Sequence, residues 1–449
     1  MSAKNFTERL LKVIPGGAHT YSRGFDQFPA NAPQILRNGQ GAYTYDEQGN
    51  KFLDYGMALR AVHLGYANPD INQAAIAQIN NGNNLTRASL IELEAAEILV
   101  DLIDSVDMVK FTKNGSTAVS AAIKLARAYT GREMIARCVD HPFFSYDDWF
   151  IASTPITRGI PASTIEQTKT FEYNNITSLI ELIDEYPERF ACVVLEPSTI
   201  THPCASKTHA GENYLHDVKR VCQKHGIVFI LDEMITGFRW HLKGAQHNSS
   251  YSGKPSTRNI EADLSTFGKA MANGFSVAAV GGKKDIMSLG SIEEAGSERL
   301  FLLSTTHGAE MSGLGAFVAT MKYMNQHPVI EHLWSFGQQL IDLFNQLAKS
   351  FAINDYIYCS GIACSPSYTT LDSKGQPCLA MRTLFSQEMI KGGVLMPWIA
   401  LSYQHGDTEL ALTKQALTSA FSVYKKALEQ GVDSYLIGDA IKPVFRRIN

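Results

Sequence analysis

Short apolar runs recur along the middle of the chain, from about residue 70 to about residue 315. Most are continuous rather than alternating, which is typical of strands buried on both faces of a mostly parallel sheet. The runs are "MVKFT" (108–112), "MIARC", "FACVVLEP", "IVFILDE", "DLSTF" and "VAAVGG". The pattern predicts an α/β domain in which helices sandwich a mostly parallel sheet.

Two of the segments between these runs carry a helical pattern. After "MVKFT" the apolar positions repeat every ~3.6 residues. They predict one buried face, formed by Ala118, Ala121, Ala122, Leu125, Ala126 and Tyr129. The segment "NYLHDVKRVCQKHG" ends on a glycine of the kind that caps helices.

The two ends of the chain differ from its middle. Turn residues surround short β-prone pieces up to about residue 55, and long amphipathic helices follow residue 315. With 449 residues, the chain is longer than a domain with a single hydrophobic core usually is. We therefore predict an N-terminal segment (1–60) that packs with a smaller α+β domain (316–449), and a large domain between them (61–315).

Composition narrows the class of protein. Hydrophobic content of 45%, charged content of 19% and a net charge of -4 describe an ordinary globular chain without bulk attraction to nucleic acid or anionic membranes. Seven cysteines without a CxxC pair favour a reduced compartment. Neither a secretory signal nor an apolar run of roughly 18 residues is evident, so we expect a cytoplasmic protein. No metal site is predicted.

Three stretches carry candidate chemistry, and the first is a phosphate-binding turn. "KNGSTAVSAAIKLARAYTG" places Gly115, Ser116 and Thr117 between a predicted strand and a helix N-terminus. Free backbone N–H groups, the helix dipole and two hydroxyls suit an anion there. The stretch matches neither the P-loop nor GxGxxG, and an ordinary Ser/Thr helix cap is the alternative.

The second stretch, "IVFILDEMITGFR", ends an apolar run with Asp232 and Glu233. Ligands of open α/β sheets bind at the carboxyl ends of strands, and a buried carboxylate there needs a cationic partner such as a protonated pyridine nitrogen. The alternative is that Asp232 and Glu233 begin the next loop and are exposed to solvent.

The third stretch, "TFGKAMANGF", places Lys269 among small residues after an apolar run. A lysine that is desolvated, or that lies beside a cationic cofactor, falls below its usual pKa of about 10.4 and becomes a nucleophile. The alternative is that Lys269 is an ordinary charged residue on the protein surface. Together the three stretches ask for a ligand with a phosphate, a basic ring nitrogen and a carbonyl, which describes pyridoxal 5′-phosphate (PLP).

The chain resembles the class III (fold type I) PLP-dependent aminotransferases, and within them the glutamate-1-semialdehyde 2,1-aminomutase-like branch. The resemblance covers most of the chain, because the family's blocks occur in order. They are "IPGGAHTYSRGF", "GAYTYDEQGNKFLDY", "NGSTAVSAAIKLARAYTGR", "DDWFIAST", "VVLEP", "ILDEMITGFR" and "DLSTFGKAMANGF".

The resemblance implies a role for each matching residue. Lys269 matches the Schiff-base lysine, Asp232 the aspartate on the pyridine nitrogen, and Met234 a residue packed on the ring face. The phosphate-binding turn is matched by Gly115, Ser116 and Thr117. Other matches are Glu196, an acid near the cofactor; Phe143, the stacking aromatic; and Thr306, which reaches the phosphate of a partner subunit and so implies a homodimer.

The substrate side departs from the family. Arg23 falls where the aminomutase branch places a carboxylate-binding arginine, and Arg60 is a second candidate for that contact, with a structural ion pair as its alternative. The family's tyrosine–histidine–glycine reads Phe143-Phe144-Ser145, and Pro397 stands where aminomutases carry a glutamate.

The resemblance therefore implies an aminotransferase in which Lys269 acts as the general base. The acceptor would be a small keto acid, a semialdehyde or a keto sugar, in a ping-pong reaction. Two alternatives stay open: a 2,1-aminomutase that moves nitrogen within one molecule, and a PLP-binding protein without turnover.

Overall fold

The computed structural model describes residues 5–248, 258–293 and 295–448. Its strands are β1 Leu36–Gln40, β2 Tyr43–Asp46, β3 Lys51–Asp54, β4 Met108–Thr112, β5 Met134–Cys138, β6 Thr168–Phe171, β7 Phe190–Leu195, β8 Val228–Asp232, β9 Leu264–Phe267, β10 Ala278–Gly282, β11 Ile357–Ile362, β12 Ser365–Thr370 and β13 Val394–Leu395.

The helices vary from single turns to long amphipathic segments. They are α1 Phe6–Val13, α2 Met57–Arg60, α3 Pro69–Asn80, α4 Leu90–Leu102, α5 Gly115–Thr130, α6 Asp148–Ile151, α7 Ala162–Gln167, α8 Ile176–Glu185, α9 Tyr214–His225, α10 Lys284–Met287, α11 Met311–Gln326, α12 Val329–Ser350, α13 Leu379–Lys391 and α14 Asp407–Gln430. Among the described residues, no helix combines the length and hydropathy of a membrane span.

The chain divides into two compact units, one formed by Met1–Asn68 with Glu331–Asn449 and the other by Pro69–Ile330. The domain boundaries at residues 60 and 315 stay predictions.

The unit of residues 69–330 contains a seven-stranded sheet in the order β4-β10-β9-β8-β7-β5-β6. Strand β10 runs antiparallel to both β4 and β9, whereas β9, β8, β7, β5 and β6 are parallel. Every residue of β5, β7, β8, β9 and β10 is buried, as the continuous apolar runs predicted. The predicted mostly parallel α/β fold is confirmed.

Helix α5 follows the predicted pattern with one correction. Its predicted face is buried at Ala118, Ala121, Ala122, Leu125 and Ala126, but the ring of Tyr129 is exposed. Tyr129 lies in the last turn, where its hydroxyl reaches outward and donates to Asp285 at 2.9 Å. Helix α9 ends, as predicted, at Gly226 with φ 62°.

The other unit contains the sheet β1-β2-β3-β13 and the antiparallel pair β11-β12. Its element α2 is a left-handed turn rather than a normal helix: φ is 40° at Met57, 50° at Ala58, 62° at Leu59 and 68° at Arg60. This conformation costs about 1–2 kcal/mol for each residue with a Cβ. Neighbouring contacts therefore have to hold the turn in place.

Candidate active site

Three neighbouring parallel strands bring polar residues to one edge of the large sheet. The register sets Leu195 of β7 opposite Leu231 of β8, and Asp232 opposite Thr266 of β9. Glu196 follows Leu195 directly, so it lies at the same level. This edge is the carboxyl end of the strands, where ligands of α/β sheets bind.

Asp232 is buried, and its two carboxylate oxygens differ. Oδ1 accepts the hydroxyl of Thr266 at 2.9 Å and the N–H of Met234 at 3.0 Å. Within the described ranges, no hydrogen bond ends on Oδ2. Burial raises the pKa of Asp232 to about 6, while the charge of Lys269 acts in the opposite direction. Oδ2 is thus available to a cationic partner.

Lys269 begins a short 3₁₀ turn, Lys269–Ala272, directly beyond β9. It is half-buried, and its φ of 40° lies in the left-handed region that side chains rarely adopt. Such strained backbone concentrates at functional sites. Because the lysine charge acts on the pKa of Asp232, the amine and the carboxylate belong to one electrostatic site.

Met234 connects the turn that carries Lys269 to the turn after β4. An ideal Cβ at Gly115 would lie 2.8 Å from the Met234 Sδ, and one at Gly268 would collide with the same atom. The two glycines leave the space that Met234 fills, so the side chain predicted for the ring face packs between both turns.

The N-terminus of α5 offers open backbone donors. The Asn114 side chain accepts the N–H of Thr117 at 2.9 Å and its hydroxyl at 3.0 Å. In the part of the chain that the structure describes, the N–H groups of Gly115 and Ser116 make no hydrogen bond. Two open donors at a helix N-terminus suit an anion such as phosphate.

A hydroxyl network anchors the loop of residues 143–149 on α5. The Ser120 hydroxyl accepts the indole N–H of Trp149 at 2.9 Å, contacts the Ser145 hydroxyl at 3.2 Å and bonds Asp147. One helical turn earlier, the Ser116 hydroxyl accepts the N–H of Tyr146 at 3.1 Å. The loop is therefore held by the same helix that offers the anion site.

Phe143 lies in this loop with 47% of its surface exposed. Its ring meets Phe150 edge to face at 5.6 Å, while the adjacent Phe144 is buried. Of the two aromatic residues that replace the family's tyrosine–histidine pair, Phe143 is the one with an accessible ring.

Glu196 is buried and held by a histidine that the sequence analysis did not single out. The N–H of Glu196 donates to Nδ1 of His141 at 3.0 Å, and Thr199 donates to its carboxylate. Burial lowers the pKa of His141 to about 3, so its imidazole stays neutral and can accept this bond. His141 thus positions the predicted cofactor-side acid.

Thr306 is exposed in a loop that is tied to the segment between α3 and α4 and to Lys113, just before α5. Its carbonyl accepts the side-chain N–H of Asn84 at 3.0 Å. Glu310, further along the loop, accepts from Asn83 at 2.7 Å and pairs with Lys113 at 2.7 Å. The role of Thr306 toward a partner subunit stays a prediction.

Arg23 and Arg60 belong to the other unit. Arg23 is exposed and lines a cleft of about 620 Å³ in that unit, as does Pro397. Arg60 ends the left-handed turn α2 and is not among the residues that line this cleft. Their substrate roles stay predictions.

Comparisons with known proteins bear on the family of the chain. The model of the aminotransferase class-III family matches residues 27–370. Glutamate-1-semialdehyde 2,1-aminomutase of Francisella tularensis subsp. tularensis (strain WY96-3418) is 27% identical over 434 residues, covering 93% of this chain and 96% of the relative.

Solved structures share the fold. The PLP internal aldimine form of the Sphingopyxis sp. MTA144 FumI protein superposes with a TM-score of 0.81 at 26% identity, covering 95% of this chain and 97% of that one. An omega-transaminase from Sphaerobacter thermophilus has a TM-score of 0.79 at 24% identity, covering 94% and 98%.

The chain belongs to the class-III aminotransferases, and the family prediction is confirmed. PLP is the cofactor of this family fold, and the residues at the sheet edge fit it. The open N–H groups of Gly115 and Ser116 suit its phosphate, Oδ2 of Asp232 its ring nitrogen, and the Lys269 amine its carbonyl.

Proposed function

We propose that this protein is a PLP-dependent aminotransferase that moves an amino group from a donor to a ketone or aldehyde acceptor by a ping-pong reaction. The observation that carries the proposal is the placement of Asp232 at the end of β8 and of Lys269 just after the neighbouring parallel strand β9, at one edge of the sheet. Bound PLP supplies an electron sink for the carbon that loses a proton.

The chain's own residues hold and move the proton. Asp232, fixed by Thr266 and by the N–H of Met234, would hold the ring nitrogen through Oδ2 and favour its protonated, cationic form. The Nζ atom of Lys269 takes the proton from the donor carbon and returns it on the acceptor side as general base and acid. The donor leaves as a carbonyl compound and the acceptor leaves as an amine, so the reaction needs no oxidant.

The cofactor phosphate and ring define further roles. Gly115 and Ser116 would bind the phosphate through their N–H groups, and Thr117 completes the turn. Phe143 and Met234 would pack against the cofactor ring, and Glu196 would be an acid near the cofactor. Arg23 and Arg60 are proposed for the substrate carboxylate.

A second candidate is the 2,1-aminomutase, favoured by the name of the 27%-identical Francisella relative. An aminomutase would use the same cofactor-binding residues as the proposed aminotransferase. The glutamate that aminomutases carry is replaced by Pro397, and this loss favours the transaminase.

One experiment separates the two. The PLP-loaded protein is incubated with single amino donors without an acceptor, and the carbonyl product is counted per active site. The proposal predicts about one product per site for one donor, because each cofactor accepts one amino group. Turnover of glutamate 1-semialdehyde alone, with no donor giving product, would establish the mutase instead. Bound PLP with neither activity would leave a binding protein.

We further propose a homodimer. Large apolar side chains are exposed on α3, on α4 and in the segment between them, namely Ile76, Ile79, Leu85, Leu90 and Leu93. Asn83 and Asn84, in the same segment, anchor the loop of Thr306. A second copy that covers this face would remove apolar surface from water and bring Thr306 toward a shared site.

A further inference from the structure

The cleft of about 620 Å³ in the unit of Met1–Asn68 and Glu331–Asn449 lies within the size range of small-molecule sites. Most of its wall is apolar, and Phe28, Ala32, Ala58, Leu59 and Trp398 are among the residues that form it. The wall therefore suits an apolar body that is much larger than the side chain of a small keto acid.

Two arginines, Arg23 and Arg37, supply the positive charge of the cleft. Neither forms an ion pair with a carboxylate in the described ranges 5–248, 258–293 and 295–448. A guanidinium presents a planar fork of donors that matches a carboxylate. The charge thus remains available to an anionic ligand.

Asp54 is the acidic residue of the lining, and both of its carboxylate oxygens already accept hydrogen bonds from the protein. Oδ1 accepts the N–H groups of Gly56 at 2.6 Å and Met57 at 3.3 Å, and Oδ2 accepts the hydroxyl of Tyr66 at 2.7 Å. Burial raises the pKa of Asp54, and these bonds act in the opposite direction. The carboxylate is committed to the protein and does not select a cationic ligand.

The same contacts hold the left-handed turn α2 at the wall. Asp54 caps its first N–H groups, and the indole of Trp398 donates to the carbonyl of Gly56 at 3.0 Å. Ala58 and Leu59, both with positive φ, line the cleft. Strained backbone of this kind is found at ligand clamps, because the rest of the fold has to maintain it.

We propose that this cleft binds an amphipathic carboxylate, with its apolar body along Leu59 and Trp398 and its carboxylate toward Arg23 and Arg37. A substrate of the proposed transamination and a separate effector share this chemistry. The substrate case rests on the proposed function, whereas the binding itself does not.

Isothermal titration of the full-length, PLP-loaded protein tests the site with butanoate, hexanoate and octanoate, and with octanol as the uncharged match. Affinity should rise about fourfold for each added methylene, since each buries a constant apolar area. Octanol should bind about tenfold more weakly than octanoate, because it lacks the charged partner. Equal binding of octanol, or no dependence on chain length, overturns the proposal.

Variants locate the site. Arg37→Gln and Arg23→Gln should each weaken octanoate binding by about tenfold and leave octanol binding unchanged. Arg447→Gln, an exposed arginine of the same unit outside the lining, is the matched control and should bind like the wild type. Ala32→Phe should reduce octanoate binding more than butanoate binding by filling the cleft. Octanoate binding that is unaffected in both cleft arginine variants contradicts the proposal.

Kinetics then separate the two sources of ligand. Competition of octanoate with one substrate identifies the cleft as part of the substrate site, and inhibition at saturating substrate identifies an effector site. If the protein shows no transamination, the proposed function fails while the titration still decides the cleft.

Discussion

The hydroxyl of Thr266 lies 2.9 Å from Oδ1 of Asp232, across two strands that pair in register. This bond and the N–H of Met234 fix one oxygen of a buried carboxylate and leave the other, among the described residues, without a hydrogen bond. Thr266 is thus the positioning residue for the acid that is proposed to hold the ring nitrogen.

Replacing Thr266 with valine tests that role, because valine keeps the shape and removes the donor. A hydrogen bond to a charged group contributes about 1.5–3 kcal/mol, so the Kd of PLP should rise at least about tenfold. Equilibrium dialysis measures this Kd. Thr266→Ser, which retains the hydroxyl, should bind PLP like the wild type. Unchanged PLP affinity in the valine variant would show that Thr266 does not position Asp232 for the cofactor.

Asp232 should also make the apoprotein's stability depend on pH. Its folded pKa is raised from 3.8 to about 6, so the folded state keeps a proton that the unfolded state loses. The stabilisation is complete below the unfolded value, declines as pH rises through the folded value and is lost above it. Relative to Asp232→Asn, the free energy of unfolding should fall by on the order of 3 kcal/mol between about pH 4 and 6.

Urea unfolding of both apoproteins across this pH range measures the difference. A flat difference would mean that the pKa of Asp232 is the same in the folded and unfolded protein, and a rising one that folding lowers it; either contradicts the prediction.

The Ser120 network should position Phe143. Ser120→Ala leaves the indole N–H of Trp149 and the carboxylate of Asp147 without their shared hydroxyl, at a cost of about 1–3 kcal/mol. We expect a lower Tm and weaker PLP binding, measured by scanning calorimetry and by dialysis. Ser350→Ala, which removes an exposed serine bonded to its own helix, is the control. A loss of Tm without any change in PLP affinity would limit the network to a structural role.

The dimer prediction rests on the exposed apolar face around Leu90. Leu90→Asp should weaken self-association by roughly tenfold or more, while an acid in the first turn of α4 favours the helix itself. Light scattering behind size exclusion measures the oligomer. Ile292→Asp, at another exposed apolar position, should remain dimeric like the wild type. A monomeric wild type, or identical behaviour of the two variants, would exclude this face.

The buried strands, the sheet edge and the candidate site residues Lys269 and Asp232 could be predicted because their sequence signals are local. Thr266 and His141 were missed, since each acts on a residue that is distant in the chain and close across the sheet. Tyr129 shared the period of the buried face but lies at the helix end. The left-handed turn at 57–60 contains no glycine, and its support from Trp398 comes from far along the chain.

Borohydride reduction of the PLP-loaded protein, followed by mass-spectrometric mapping of the modified lysine, tests directly whether Lys269 holds the cofactor. We expect the cofactor to be fixed to the peptide that contains Lys269, and none to be fixed in Lys269→Arg. Cofactor fixed to a different lysine, or none retained by the wild type, would contradict this role of Lys269.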